Sequence, residues 1–341
     1  MQPPRFWYGA EGRDSALLLQ ALAQPLSWLY AAISAAKIAH ATPERVAAPV
    51  ICVGNLTVGG AGKTPVVRAI RAQLRAMGVE AHTLSRGHGG ALKGPVRVND
   101  THTAADVGDE PLLHARDGAA WIARDRLAGA LAMIAAGAQA IVMDDGFQNP
   151  ALAKHLSVLV FDAEAGAGNA RVVPAGPLRE PLKAGLARAN AVILIHGSRA
   201  PARSEDDDPS RLDRALEGFG KPILHATLEP QGEAPAGPLL AFAGIGRPQK
   251  FFDTLKALGG DMVDGASFPD HHAYAEADLK NLAAHASAHG ARLITTEKDH
   301  VRLPPAWRAQ VLTLPVVARF AEPETLDALL RAAVAKRREA P

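Results

Sequence analysis

The chain has 341 residues, more than one compact core commonly serves, so two domains are expected. Its charges nearly cancel, 37 Lys and Arg against 35 Asp and Glu, and 48% of residues are hydrophobic, which excludes both a basic coat for nucleic acid and a disordered chain. Cys52 is the single cysteine, so an intramolecular disulfide and a cysteine-built metal site are excluded as well.

Residues 15–36 carry no formal charge and include LLLQALAQPLSWLYAAISAA, long enough to be weighed as a membrane span. The spacing favours a surface helix instead. Gln20, Gln24, Ser27, Ala31 and Ser34 share one helical face, while Leu18, Leu22, Leu29 and Ile33 lie away from it. Pro25 is expected to kink or divide that helix. Phe6, Trp7, Tyr8, Trp28 and Tyr30 suit a membrane–water boundary, and Arg5, Arg13 and Lys37 could meet lipid phosphates. The expectation is an amphipathic helix attached peripherally to a membrane; the alternative is a helix packed on the protein's own core. Glu11 and Asp14 argue against a cleaved signal peptide.

PVICVGNL reads as a buried parallel strand, and TPVVRAIRAQLRAMG as a helix that stops at Gly78. Between them lies VGNLTVGGAGKTP, a glycine-rich loop ending in Gly-Lys-Thr. Strand, loop and helix in this order form the setting of a phosphate loop, whose backbone N–H groups and helix N-terminus attract phosphate oxygens. The candidate nucleotide-binding residues are Thr57, Gly59, Gly60, Ala61, Gly62, Lys63 and Thr64, with Lys63 reaching the β- and γ-phosphates. Thr57 stands where such loops open with glycine, a position that serves chain geometry more than phosphate chemistry. AQAIVMDDGFQ supplies the acids a metal needs: Asp144 and Asp145 follow a buried strand, and with Thr64 they are the candidate Mg²⁺ ligands.

Strand-like runs follow at Ala81–Ser85, Ser157–Phe161 and Ala191–Ile195, with a helical stretch at Arg124–Gly137, which implies a doubly wound parallel sheet. Residues 201–211, PARSEDDDPSR, read as a surface loop or hinge. A second α/β pattern opens near Leu239, ARLITTEKD and QVLTLPVV read as two strands, and the chain ends in a basic helix, LDALLRAAVAKRRE. The expected division is an N-terminal membrane-associating segment (1–45), a P-loop domain (46–228) and a smaller C-terminal α/β domain (229–341). AGIGRPQKFF lacks the third glycine of a dinucleotide fingerprint and reads as a plain strand-to-helix turn.

Five polar clusters remain: SRGHGG (85–90), GDEP (108–111), PAGPLREPL (174–182), FPDHHAY (268–274) and TTEKD (295–299). Asp109 and Glu110 sit at an expected helix start, where acids are also favoured for capping alone. Asp270 beside His271 and His272 could tune an imidazole into a base, and no regular ligand spacing supports zinc. Arg179 and Glu180 could orient a phosphorylated substrate or pair with each other.

VGNLTVGGAGKTP, SRGHGG, GDEP, VMDDGFQ, PAGPLREPL, AFAGIGRPQKFF, FPDHH and TEKD occur in this order across most of the chain. The set resembles the tetraacyldisaccharide 4'-kinase family, the lipid A 4'-kinases of Gram-negative bacteria. The resemblance makes Thr57 a family trait. It implies phosphorylation, with ATP and Mg²⁺, of the 4'-hydroxyl of a tetraacylated glucosamine disaccharide 1-phosphate to lipid IVA. It further implies two α/β/α domains joined by a short β linker, attached to the cytoplasmic face of the bacterial inner membrane. Carried over by motif, Asp109 matches the family's acid–base residue, acting with a histidine for which His271 is favoured and His272 is the fallback. Lys63 joins them as a catalytic residue, and Arg179 and Glu180 match residues near the reacting centre. His88 departs from the family's usual R-G-Y-G-G and is the third expected substrate-side residue.

Three other classes are less consistent with the residues. A partitioning-type P-loop ATPase carries lysine where this chain has Val58, and the N-K-x-D of a GTPase is not supplied by residues 296–299. A kinase for a soluble small molecule leaves the aromatic, amphipathic N-terminus without a purpose beyond packing.

Overall fold

The computed structural model describes residues 4–8, 17–197 and 211–335. The expected loop at 201–211, apart from its last residue, and the basic end at 336–339 lie outside the described residues, as do Glu11, Arg13 and Asp14.

A short 3-10 turn (Arg5–Trp7) and helix α1 (Leu17–Ala39) precede strand β1 (Val50–Gly54) and helix α2 (Lys63–Ala76). The chain continues through β2 (Ala81–Ser85), β3 (Val96–Arg97), α3 (Ala104–Val107), α4 (Asp109–Arg116), β4 (Ala120–Ile122), α5 (Arg126–Ala135) and β5 (Ala140–Asp144). Then come β6 (Leu156–Asp162), α6 (Leu182–Arg188), β7 (Ala191–His196), α7 (Arg211–Leu216) and β8 (Ile223–Pro230). A second alternating run holds β9 (Leu239–Ala243), α8 (Pro248–Ala257), β10 (Met262–Ser267), α9 (Glu276–Ala288), β11 (Arg292–Thr296), α10 (Glu297–His300), α11 (Pro305–Arg308) and β12 (Leu312–Leu314). β13 (Val316–Phe320) and α12 (Pro323–Ala335) complete it.

Among the described residues the strands form a nine-stranded sheet, ordered β13-β8-β7-β6-β1-β5-β2-β4-β3, and a four-stranded sheet, ordered β10-β9-β11-β12. The large sheet is parallel except at its edges, where β13 and β3 pair antiparallel. β1 lies centrally, between β6 and β5. Its residues alternate between two cores: Cys52 faces the side shared with Met133 of α5, and Ile51 and Val53 face the side shared with Val66, Ile70 and Leu74 of α2. A strand sealed on both faces must be apolar throughout, which is why its boundaries could be read directly from PVICVGNL.

QVLTLPVV is not one strand. Leu312–Leu314 pairs with β11 in the small sheet, whereas Val316–Phe320 pairs with β8 in the large one, and Pro315 lies at the crossing. Proline offers no N–H for a ladder, so a change of sheet there leaves no unused donor. α12 follows β13 back to the large sheet, where Leu326, Leu330 and Ala333 pack on the same core as α2. Strand pairing thus distributes residues 229–341 between both sheets, and the small sheet is an insertion between neighbouring strands β8 and β13.

α1 is inverted relative to an ordinary amphipathic helix. Its small and polar face turns inward: Gln20 and Ser27 are 6% and 1% exposed. The Ser27 hydroxyl accepts from the Ala175 N–H at 3.0 Å, and Gln24 Oε1 accepts from Arg171 at 2.8 Å. Its apolar face turns outward, with Leu18, Leu22, Trp28 and Ile33 each more than 60% exposed. The alternative of an apolar stripe on the protein's own core is therefore overturned. Pro25 does not divide the helix, which runs unbroken through it; the proline lies on the exposed side, where a lost backbone hydrogen bond leaves no buried orphan. No helix among the described residues is long and apolar enough to cross a membrane.

Candidate functional site

The loop after β1 delivers its backbone to the N-terminus of α2, whose cap, Gly62, takes a left-handed φ of 76° and offers no side-chain cap to the first-turn amides. A Cβ at Gly62 would lie 2.7 Å from Ile195 of β7, so glycine is required there on two counts. Gly59 and Gly60 face open space. Thr57 has no such constraint: it bridges Leu178 in extended pairing, and Val58 N–H donates to Pro177 O at 2.7 Å. That pairing accounts for the missing first glycine and ties the loop to the PAGPLREPL segment. Asn55 braces the turn from inside, donating to Thr57 O at 2.7 Å while its Oδ1 accepts from Lys63 Nζ at 3.1 Å.

β5 ends beside this loop and supplies the acid pair. Asp144 is 2% exposed; its Oδ2 lies 2.8 Å from Nε2 of the fully buried His114 of α4, and its Oδ1 has no protein partner among the described residues. Asp145 takes a φ of 51°, uncommon for a residue with a side chain, which turns its carboxylate toward Lys63 Nζ at 3.4 Å and Arg179 Nη1 at 2.9 Å. Burial raises the pKa of Asp145, but Lys63 and Arg179 outweigh it and hold the carboxyl below its usual value.

Oxygen donors are what a hard cation needs, and the buried Asp144 Oδ1, without a protein partner among the described residues, fits Mg²⁺. No group of three or more His, Cys, Asp or Glu side chains among the described residues is placed to hold a metal alone. One or two carboxylates with water and substrate phosphate oxygens is the usual Mg²⁺ donor set.

Asp109 is the first residue of α4, following Gly108 at a φ of 89°. A Cβ at Gly108 would sit 2.4 Å from the His88 carbonyl, so the glycine lets GDEP pack against SRGHGG; the His88 side chain is exposed. The small sheet meets Asp109 from the other side. His271 Nδ1 is 3.1 Å from Asp109 Oδ2, Arg302 Nε donates to the same oxygen at 3.0 Å, and Lys298 Nζ stands 4.0 Å away. Burial pushes the Asp109 carboxyl up; the His271 hydrogen bond and the charges of Lys298 and Arg302 overcome it and hold it well below the usual carboxylate range.

Of the two histidines, His271 faces Asp109, at a φ of 58° fixed by N–H donation to Gly244 O at 3.1 Å. His272 turns away, bound to Asp278 at 2.9 Å and stacked on Phe268. Arg179 and Glu180 do not pair with each other. Arg179 serves Asp145, while the buried Glu180 holds Arg188 and accepts from Gln148 at 3.1 Å. Glu110 is half-buried, and desolvation together with the charge of Asp144 raises its pKa.

Several side chains at this edge escaped the sequence reading: Asn55, His114, Gln148 and Arg302. Asn55 and Gln148 stood inside quoted motifs, and Arg302 falls one helical turn past Asp299; His114 carried no local signal.

The family model for tetraacyldisaccharide-1-P 4'-kinase matches residues 19–335. The chain belongs to this family. Among its relatives, the tetraacyldisaccharide 4'-kinase of Caulobacter vibrioides is 54% identical over 334 residues, covering 96% of this chain and 97% of that protein. The tetraacyldisaccharide 4'-kinase of Maricaulis maris is 52% identical, with 97% and 96% covered. The crystal structure of LpxK from Aquifex aeolicus in complex with ATP superposes with a TM-score of 0.73 at 27% identity, covering 93% of this chain and 99% of that one. Members of the tetraacyldisaccharide 4'-kinase family thus share this two-sheet fold across nearly their whole length.

Proposed function

We infer that the protein is a tetraacyldisaccharide 4'-kinase: it transfers the γ-phosphoryl group of ATP to the 4'-hydroxyl of a tetraacylated glucosamine disaccharide 1-phosphate, giving lipid IVA. The observation that carries the reading is Asp109, held at the phosphate-loop edge of the large sheet and met at 3.1 Å by His271 of the small sheet.

The residues divide the work as follows. Lys63 and the uncapped amides of α2 bind the β- and γ-phosphates, and the loop from Thr57 to Thr64 surrounds them. Mg²⁺, when bound through Thr64, Asp144 and Asp145, offsets negative charge on the phosphate oxygens. Asp109 accepts the proton of the 4'-hydroxyl as its oxygen bonds to the γ-phosphorus and the bond to the β–γ bridging oxygen breaks, leaving ADP. His271 shares that proton through its contact with Oδ2. Arg179 and the exposed His88 flank the acceptor side, and Glu180 acts from beneath by fixing Gln148, which donates to Asn55 O at 3.1 Å. Because acid and histidine come from different sheets, the base is complete only when the two meet.

The outward apolar face of α1 supports peripheral attachment to the cytoplasmic face of the inner membrane, where such a lipid would be presented. Purified protein with Mg-ATP and the disaccharide in detergent should yield a bis-phosphorylated lipid, and Lys63→Ala should abolish it. ATP hydrolysis without lipid phosphorylation would overturn the kinase reading in favour of a switch.

A further inference from the structure

We propose that Arg302 is a positioning residue for phosphoryl transfer, acting through Asp109 by holding its carboxylate from the opposite sheet. This rests on the reading of Asp109 as the proton acceptor. Arg302 is itself anchored deep in the small sheet. Its side chain is 5% exposed, and Nη1 donates to Asp299 Oδ1 at 3.0 Å and to Gly244 O at 2.8 Å. Asp299 is immobilised in turn: it is fully buried and accepts from Tyr274 OH at 2.9 Å, Gly244 N–H at 3.0 Å and Thr296 Oγ1 at 2.6 Å. The guanidinium plane is therefore fixed before it meets the large sheet, and it presents Nε and Nη2 to Asp109 Oδ2 at 3.0 and 2.5 Å.

Every other charged group facing Asp109 is looser. His271 and Lys298 are 49% and 26% exposed, and they contact each other at 3.2 Å. On its own helix, Asp109 has the Glu110 N–H, which donates to Oδ1 at 3.0 Å, and the half-buried Glu110 side chain beyond it. A carboxylate this enclosed without a fixed cation would favour its neutral form, which cannot accept a proton. Arg302 opposes that and sets the rotamer, so His271 can shift with the substrate while Asp109 stays in place.

The experiment is a double-mutant cycle on the full chain, reading kcat and KM with Mg-ATP and the lipid disaccharide. Arg302→Gln should lower kcat about 10- to 100-fold with the nucleotide KM within about threefold. On an Asp109→Asn background the same change should cost less than about threefold, because the group it acts through is gone. An equal loss on both backgrounds would overturn the proposal and leave Arg302 as structural support. Glu297→Gln, which loosens the contact between the sheets without touching Asp109, should keep kcat within about threefold; a loss matching that of Arg302→Gln would assign the effect to docking and also overturn it. Should Arg302→Gln fail to fold, Arg302→Lys enters the same cycle with the same two outcomes. Asp109→Asn at the wild-type rate would instead overturn the reading of Asp109 itself.

Discussion

His114 holds Asp144 by a single 2.8 Å contact, with the imidazole fully buried and the carboxylate nearly so. The contact fixes one carboxylate oxygen and leaves the other for a cation. His114→Phe should therefore raise the Mg²⁺ concentration for half-maximal activity about tenfold or more. It should also cost about 1–3 kcal/mol of stability, because a buried acceptor loses its donor. A Mg²⁺ titration beside a denaturant melt checks both, and an unchanged Mg²⁺ requirement would remove the supporting role.

Asn55 and Lys63 form the second internal prop, at 3.1 Å. Asn55→Ala should raise the nucleotide KM about tenfold, because the loop loses the amide that spans its turn and the acceptor that aims the lysine. Lys63→Ala should lower kcat about 1,000-fold or more. Nucleotide binding by calorimetry separates the two, since only the first variant is expected to act mainly on affinity. An Asn55→Ala protein with wild-type affinity would show that the glycines alone shape the loop.

The charge on Asp109 also bears on stability. Its folded-state pKa is depressed, so its stabilisation is fully present above the unfolded value of about 3.9 and is lost as pH falls through the folded value. Asp109→Asn leaves Arg302 and Lys298 facing each other without an anion. At pH 7 its melting temperature should lie about 2–5 °C below wild type. The gap should close progressively below about pH 4, as the wild-type carboxyl is protonated. A gap that persists unchanged at pH 3 would contradict the assignment.

The outward leucines of α1 give the fourth expectation. Each contributes about 1.5–3 kcal/mol when transferred from water to an apolar phase. Leu22→Glu with Leu29→Glu should lower binding to anionic phospholipid vesicles about 100-fold and leave the melting temperature unchanged, since both side chains already face outward. Trp28 fluorescence should shift to the blue when wild-type protein meets vesicles. Equal flotation of the two proteins would deny the face a role at the membrane.

Local burial decided which features the sequence made legible. Ala81–Ser85 read as a strand is the strand observed, and all five residues are buried although His82, Thr83 and Ser85 are polar. Asp109 at a helix start was legible for another local reason, that acids are favoured in a first turn. The sheet joined by Val316–Phe320 was not, since partner choice is made by residues far along the chain; the two unlike faces of α1 were legible from spacing, and the polar one lies inward. Arg302 and His114 acquire their places only when α4 meets segments distant in sequence. A charged or aromatic side chain carries no local pattern that announces such a neighbour.

The pairing of Pro230 with Val316, closed by the 2.8 Å bond from Gln231 N–H to Pro315 O, makes the small sheet a cassette. Both of its ends enter and leave through one hairpin, so a genetic exchange at that single place would transplant His271, Lys298 and Arg302 together and leave the order of the large sheet intact. Joining residues 230 and 316 through a two-residue turn is the matching deletion. It should yield a protein that still binds Mg-ATP, by calorimetry, and no longer phosphorylates lipid. The histidine half of the proposed catalytic pair is in that sense a portable unit.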